Sequence, residues 1–179
     1  LQRKYGSLAM NDRIEIVPLV GIRIGNQSIH LSDSKEKVEA VMGKPHVAWK
    51  NSFYYFENEL RFDFGAQNLV ESIEFLGGVA GKIQPCIYRT EAFLVDADTL
   101  YAVLKENNKG EVDDHESGYS YAFLNISVGI GRQIVPKNIP EMVAEAAKDG
   151  HPMQEAEIAY ETKRATHWAT IGMGVKDYY

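Results

Sequence analysis

Cysteine is nearly absent: the 179 residues include one, Cys86. That excludes an internal disulfide framework and any zinc site built from several thiolates. No apolar run approaches the ~18 residues that a membrane-spanning helix needs. No Gly-Lys-Ser or Gly-Lys-Thr sequence occurs, so there is no phosphate loop. Gly129-Ile130-Gly131 and Gly172-Met173-Gly174 each lack the third glycine of a dinucleotide fingerprint. Those glycines read as strand-end, bulge or turn residues. A Gly-x-Ser-x-Gly nucleophile elbow is missing as well. His30, His46, His115, His151 and His167 include no pair at H-x-x-x-H spacing. Basic residues are outnumbered, 19 against 25 acids, for a net charge of −6. That balance argues against a nucleic-acid binder. The expectation is therefore no cofactor, no metal, no nucleic acid and no membrane.

What is present suits a folded domain. Hydrophobic residues make up 45% and charged residues 25%, both ordinary for a globular chain. The length fits one domain. Residues 1–12 are polar and patternless and read as a loose tail or an expression remnant. Residues 13–179 read as a single α+β domain. A lone cysteine suits a cytoplasmic setting.

Two stretches of the chain follow a similar plan. Ile14, Ile16 and Val17 open an apolar run that Pro18 ends, and Gly21-Ile22-Arg23-Ile24 alternates as a strand. Leu31-Ser32-Asp33-Ser34 is an N-cap cluster. Val38, Val41 and Met42 then share a helix face at i, i+3, i+4, and Gly43 and Pro45 stop the helix. After it the period changes to two. Residues 53–56 are aromatic, Leu60, Phe62 and Phe64 alternate, and a third strand runs to Phe75. In that strand Leu69, Glu71, Ile73 and Phe75 are expected on one side, with Val70, Ser72, Glu74 and Leu76 on the other. This is a three-stranded antiparallel meander. Further on, Asp96 is a second N-cap candidate, and Leu100, Val103 and Leu104 repeat the helical spacing at an offset of 62 residues. Tyr119, Tyr121 and Phe123, then Ile126, Val128 and Ile130, read as strands. The third strand, around residues 167–171, is delayed by a helical insert at about 135–164. The insert carries Pro140 near a helix start and a run of good helix formers from Glu141. The expectation is two helix-plus-meander units, about 13–78 and 83–179, that share one core.

Charge is uneven. Between residues 91 and 116 there are eight acids and two bases, and this segment alone sums to −6. Its densest part, Glu111-Val112-Asp113-Asp114-His115-Glu116, lies just before Tyr119. An acidic, tyrosine-bearing surface of this kind suits a basic protein partner. The candidate contact set is Asp113, Asp114, Glu116 and Tyr119. No catalytic constellation stands out. The alternative is a small-ligand binder or enzyme with a pocket between the two units, assembled from His30 or His46 with His167.

Several short motifs, in their order, resemble a group of small, mostly uncharacterised bacterial proteins that includes immunity-like proteins of toxin systems. They are Val17-Pro18-Leu19-Val20-Gly21-Ile22, Ser34-Lys35-Glu36-Lys37-Val38, Gly43-Lys44-Pro45, Tyr54-Tyr55-Phe56, Leu60-Arg61-Phe62, Ile73-Glu74-Phe75, Gly129-Ile130-Gly131 and Lys176-Asp177-Tyr178-Tyr179. The helical insert is longer than the group's pattern. The resemblance implies a non-enzymatic inhibitor that occludes a basic toxin domain. It carries no catalytic residues with it.

Overall fold

The computed structural model describes residues 13–179; the tail expected over 1–12 lies outside the described residues. The first strands, β1 (Ile14–Val17), β2 (Gly21–Ile24) and β3 (Gln27–His30), form an antiparallel meander. The turn into β2 requires glycine: Gly21 has φ +153°, and a Cβ there would stand 2.1 Å from the Ile29 carbonyl oxygen. Two later short strands, β8 (Cys86–Ile87) and β9 (Thr90–Glu91), extend this sheet in the order β3-β2-β1-β8-β9, with β8 parallel to β1.

Helix α1 (Lys35–Met42) starts at Ser34, whose hydroxyl accepts the Lys37 N–H, and ends at Gly43 with φ +81°. It buries Val38, Val41 and Met42, the face its spacing predicts. Helix α2 (Ala97–Asn108) is capped by Asp96, whose carboxylate accepts the Thr99 N–H. It buries Leu100, Leu104 and Asn108, while Val103 is only half-buried. Asn108 ties the end of α2 to the following strands. Its Nδ2 donates to the Glu111 carbonyl at 2.9 Å, and its Oδ1 accepts the N–H groups of Asn125 and Ile126 at 2.8 and 3.2 Å.

The larger sheet has eight antiparallel strands in the order β10-β11-β12-β13-β7-β6-β5-β4. One half is β4 (Val47–Trp49), β5 (Ser52–Tyr55), β6 (Leu60–Phe64) and β7 (Val70–Phe75). The other is β10 (Val112–Asp113), β11 (Ser120–Phe123), β12 (Val128–Gly131) and β13 (Thr170–Gly174). The halves meet where β13 pairs with β7, Gly172 opposite Glu74. Between β12 and β13 stand two helices, α3 (Ile139–Lys148) and α4 (Glu155–Ala165), in the place of the expected insert.

The α+β class and the helical insert match the sequence reading, with differences of detail. Each meander has four strands, not three. The missed strands β4 and β10 are three and two residues long, too short to show alternation. All three residues of β4, Val47, Ala48 and Trp49, are apolar yet exposed, so the strand shows no alternation of apolar and polar residues. The helix-then-meander order occurs in both halves, but β1–β3 and β8–β9 differ from each other and α3–α4 has no counterpart in the first half. No internal repeat is concluded. The faces of β7 also differ from strict alternation. Asp63 pairs with Ser72 and Phe64 with Val70, so Glu71 is an extra, bulged residue. The bulge turns Val70 inward beside Ile73.

One core cluster draws on both halves. The inner face of the large sheet supplies Phe53, Phe62, Ile73, Met173, Val128 and Phe123, which stand opposite one another across the strands. Tyr55, Leu60, Phe75, Ile171 and Ile130 form the adjacent row. Helices α1 and α2 and the isoleucines of β1–β3 close over these rows.

Candidate functional site

Strand alternation sends the neighbours of those core residues to the opposite, outer face. Asp113, Ala122, Gly129, Gly172, Glu74, Arg61, Tyr54 and Val47 lie opposite one another in a single row across all eight strands. A second row runs Gly174, Ser72, Asp63, Ser52, Trp49. The middle of this face is floored by glycine, and the first half is polar. Arg61 holds the polar part together: its Nη2 lies 2.8 Å from Glu74 Oε2 and its Nε 3.0 Å from Asp63 Oδ2. Burial pushes the Glu74 carboxyl above its ordinary value, and the Arg61 charge opposes that shift.

The C-terminal residues fold back over the glycines. The Val175 N–H donates to the Glu71 carbonyl and Ser127 Oγ to the Val175 carbonyl, which fixes the start of a strap. Asp177 then takes a left-handed φ of +63°, and Tyr178 and Tyr179 lie against the sheet. A Cβ on Gly129 would stand 2.5 Å from Tyr179 Cε1, and one on Gly172 would stand 2.3 Å from the Tyr179 hydroxyl. Gly174 makes the same room for Tyr178, 2.4 Å from its Cγ. Gly129 and Gly172 therefore lie within strands and clear space for a ring, which corrects their reading as strand-end, bulge or turn residues, whereas Gly131 and Gly174 end β12 and β13 as expected. Burial raises the Tyr179 phenol, and the nearby Glu74 charge adds to the shift. Ser72 Oγ sits 3.1 Å from the Tyr178 hydroxyl and 3.3 Å from Asp63 Oδ2.

Beside Tyr179 the face is open. A groove of about 360 Å³ runs over Ala122, Gly129, Gly131 and Gly172, between Tyr179 and the acidic segment after β10. Glu74, Asp113 and Glu116 reach it, and no residue of a helix lines it. Asp113 accepts hydrogen bonds from the backbone N–H and the ring Nδ1 of His115. That contact holds Asp113 below and His115 above their ordinary values. Glu116 accepts the Ser120 hydroxyl at 2.6 Å.

The structure thus brings Asp113 and Glu116 of the candidate set to one groove, with Asp114 exposed in the turn between them. Tyr119 lies elsewhere. Its hydroxyl donates to Asn138 Oδ1 at 3.0 Å, and it lines a separate cleft against Glu141, Glu145 and Glu161 of α3 and α4. Sequence reasoning missed Glu74 and Tyr179. Glu74 has a legible signal, a charge in the middle of an alternating strand. Tyr179 has only the glycine-x-glycine spacing that accommodates it. The histidines proposed for an inter-unit pocket do not converge. His30 and His46 are exposed, and His167 lines a small cavity of about 130 Å³ between Gly77–Ala80 and α4 that includes neither. Cys86 is buried, with Arg13 Nη2 at 3.0 Å from its sulfur. Among the described residues no group of three or more His, Cys, Asp or Glu is placed to hold a metal ion, and no helix is long and apolar enough to cross a membrane. No protein-family model, curated protein or solved structure matches the chain.

Proposed function

We propose that this protein is a non-enzymatic binding module that recognises a basic protein partner with the outer face of its eight-stranded sheet. In keeping with the family it resembles, it would act as an immunity-type inhibitor, occluding a basic surface of a toxin domain. The observation that carries the reading is the glycine-floored groove: a concave site beside an aromatic wall, reached by Glu74, Asp113 and Glu116 and flanked by Asp114. Opposite charge would speed encounter, and close contact over the groove floor would slow release. Tyr119, in the neighbouring cleft, would contribute only to a partner broad enough to span both sites.

A second reading draws on the size of the groove. About 360 Å³ falls within the ~300–1,000 Å³ of small-molecule sites, so a small cationic ligand is the rival occupant.

The direct test is an NMR titration of the full chain with acetylated hexa-arginine at low and at physiological salt. The variant carrying Asp113→Ala, Asp114→Ala and Glu116→Ala is the control. Shifts confined to the amides of Ser120, Gly129 and Gly172, with a salt dependence that the triple variant flattens, support the reading. Equal binding by the triple variant removes these acids from it. A neighbouring reading frame for a large secreted protein with a basic C-terminal domain would name the partner to try next.

A further inference from the structure

The ring of Tyr179 occupies part of the surface just assigned to recognition, yet little besides the fit of the ring holds it there. The last backbone bond from the strap to the sheet is that of Val175 to Glu71. Beyond it, the Tyr178 N–H bonds back to Val175 within the strap, the Tyr178 hydroxyl accepts from Ser72 of β7 at 3.1 Å, and, among the described residues, 176, 177 and 179 make no backbone hydrogen bond to the sheet. Asp177 adds a left-handed φ at a residue that is not glycine. Neither Tyr178 nor Tyr179 belongs to the core cluster, so the strap can leave without disturbing the core. Segments held by so few backbone bonds open at low free energy.

We propose that the strap over residues 176–179 is a displaceable plug: Tyr179 closes the glycine slot between β12 and β13, and its departure opens the floor over Gly129 and Gly172 and widens the access to Glu74 on β7. Three observations converge on this. Gly129 and Gly172 leave a slot cut to the dimensions of the ring. Tyr179 lines the open groove and so stands at the boundary between its filled and empty parts. Glu74 lies behind the ring, with its side chain against the Gly172 position on one side and Arg61 on the other. With the plug in, a cationic partner meets Asp113, Glu116 and the near side of Glu74. With the plug out, it also reaches the flat floor of exposed backbone beneath the ring and the side of Glu74 that the ring covers. The plug would therefore lower apparent affinity in proportion to the fraction of time it is closed. A partner that inserts a ring of its own would gain that slot by exchange.

This inference rests on the outer-face reading, and its test separates the two. Acetylated hexa-arginine is titrated into the full chain, into a chain lacking residues 177–179, and into the full-length variant Tyr179→Ser. Unchanged thermal unfolding in the last two establishes that the fold is intact. A plug closed about nine-tenths of the time predicts about tenfold tighter binding in both altered forms. It also predicts new amide shifts in β7 that the full chain does not show. A second probe, the peptide Lys-Asp-Tyr-Tyr with an acetylated N-terminus, should bind the shortened chain at Gly129, Gly172 and Gly174 and bind the full chain at least about tenfold more weakly. Equal hexa-arginine affinity in all three forms, with the peptide binding neither chain, overturns the plug and leaves the recognition surface standing. Hexa-arginine binding to none of the three forms overturns the outer-face reading, and the plug with it.

Discussion

The two faces of the eight-stranded sheet are made by the same strands and obey opposite rules. On the inner face Phe62, Ile73, Met173, Val128 and Phe123 stand in a row, each essentially inaccessible to water. One residue along each of those strands, the outer face carries Arg61, Glu74, Gly172, Gly129 and Ala122. Glycine weakens an isolated strand by about 0.5–1 kcal/mol relative to alanine. Here that loss falls in β12 and β13, where Val128, Ile130, Ile171 and Met173 pack between the glycines. The contrast assigns stability to one side and shape to the other: the inner row holds the strands in place so that the outer row can be small.

The sharpest way to break that contrast is to empty the inner row. Phe62→Ala removes a fully buried ring between Phe53 and Ile73. It should cost about 3–5 kcal/mol, read as a lower denaturant midpoint in chemical unfolding. A loss below about 1 kcal/mol would mean that the inner face is not the core this architecture requires.

A polar residue on the core side tests whether burial or chemistry sets the cost. Asn108→Ala leaves the N–H groups of Asn125 and Ile126 and the Glu111 carbonyl without their partner. A loss of about 2–3 kcal/mol is expected. Ser72→Ala, on the outer face beneath Tyr178, should cost about 1 kcal/mol or less, because it removes only contacts to Asp63 and the Tyr178 hydroxyl. Equal losses for the two variants would erase the distinction between the sides.

The outer row should respond by moving rather than by unfolding. Gly172→Ala places a methyl group against the Tyr179 hydroxyl, the end of a movable ring, and against Glu74 Cγ at 2.9 Å. The expected change in global stability is within about 1 kcal/mol, since the clash is offset by the reduced freedom of the unfolded chain. The environment of Tyr179 should change, seen as altered ring resonances by NMR. Unfolding without movement of the ring would show that the slot is a structural joint.

How much of this was legible in the sequence follows the same division. Inner-face residues announce themselves by periodicity, so α1, α2 and the longer strands, with Val38, Leu100, Phe62 and Ile73, could be placed from spacing alone. Outer-face residues have no such signal. Gly129 and Gly172 make sense only once a ring from the far end of the chain is seen lying on them, and Asp113 and Glu74 are distant in sequence and adjacent only through four strand pairings. The bulge at Glu71 cannot be read from alternation, because it is a break in alternation. Tyr119 was drawn to the acidic segment by proximity in sequence, but the chain turns after Glu116 and its hydroxyl is taken by Asn138 beside α3.

The smallest effect is one of pH, and it separates the faces by sign. Burial raises the folded-state pKa of Glu74, so folding favours its protonated form. Its contribution is fully present below the ordinary glutamate pKa and is lost as pH rises through the raised value. The Asp96 cap behaves oppositely: the Thr99 N–H holds its pKa down, so its contribution is present above the ordinary aspartate value and is lost as pH falls through the lowered one. Wild-type stability therefore sums opposing slopes, and only a difference isolates Glu74. In Glu74→Gln the residue is neutral throughout, so the wild type should lose stability relative to the variant as pH rises from the ordinary glutamate value to the raised one. Denaturant midpoints for both proteins, taken at intervals across pH 4–7, measure it. A difference that stays flat, or that runs the other way, would mean that the Arg61 ion pair outweighs burial and that Glu74 is a structural anchor of the outer row, not a carboxylate held in reserve beneath the ring.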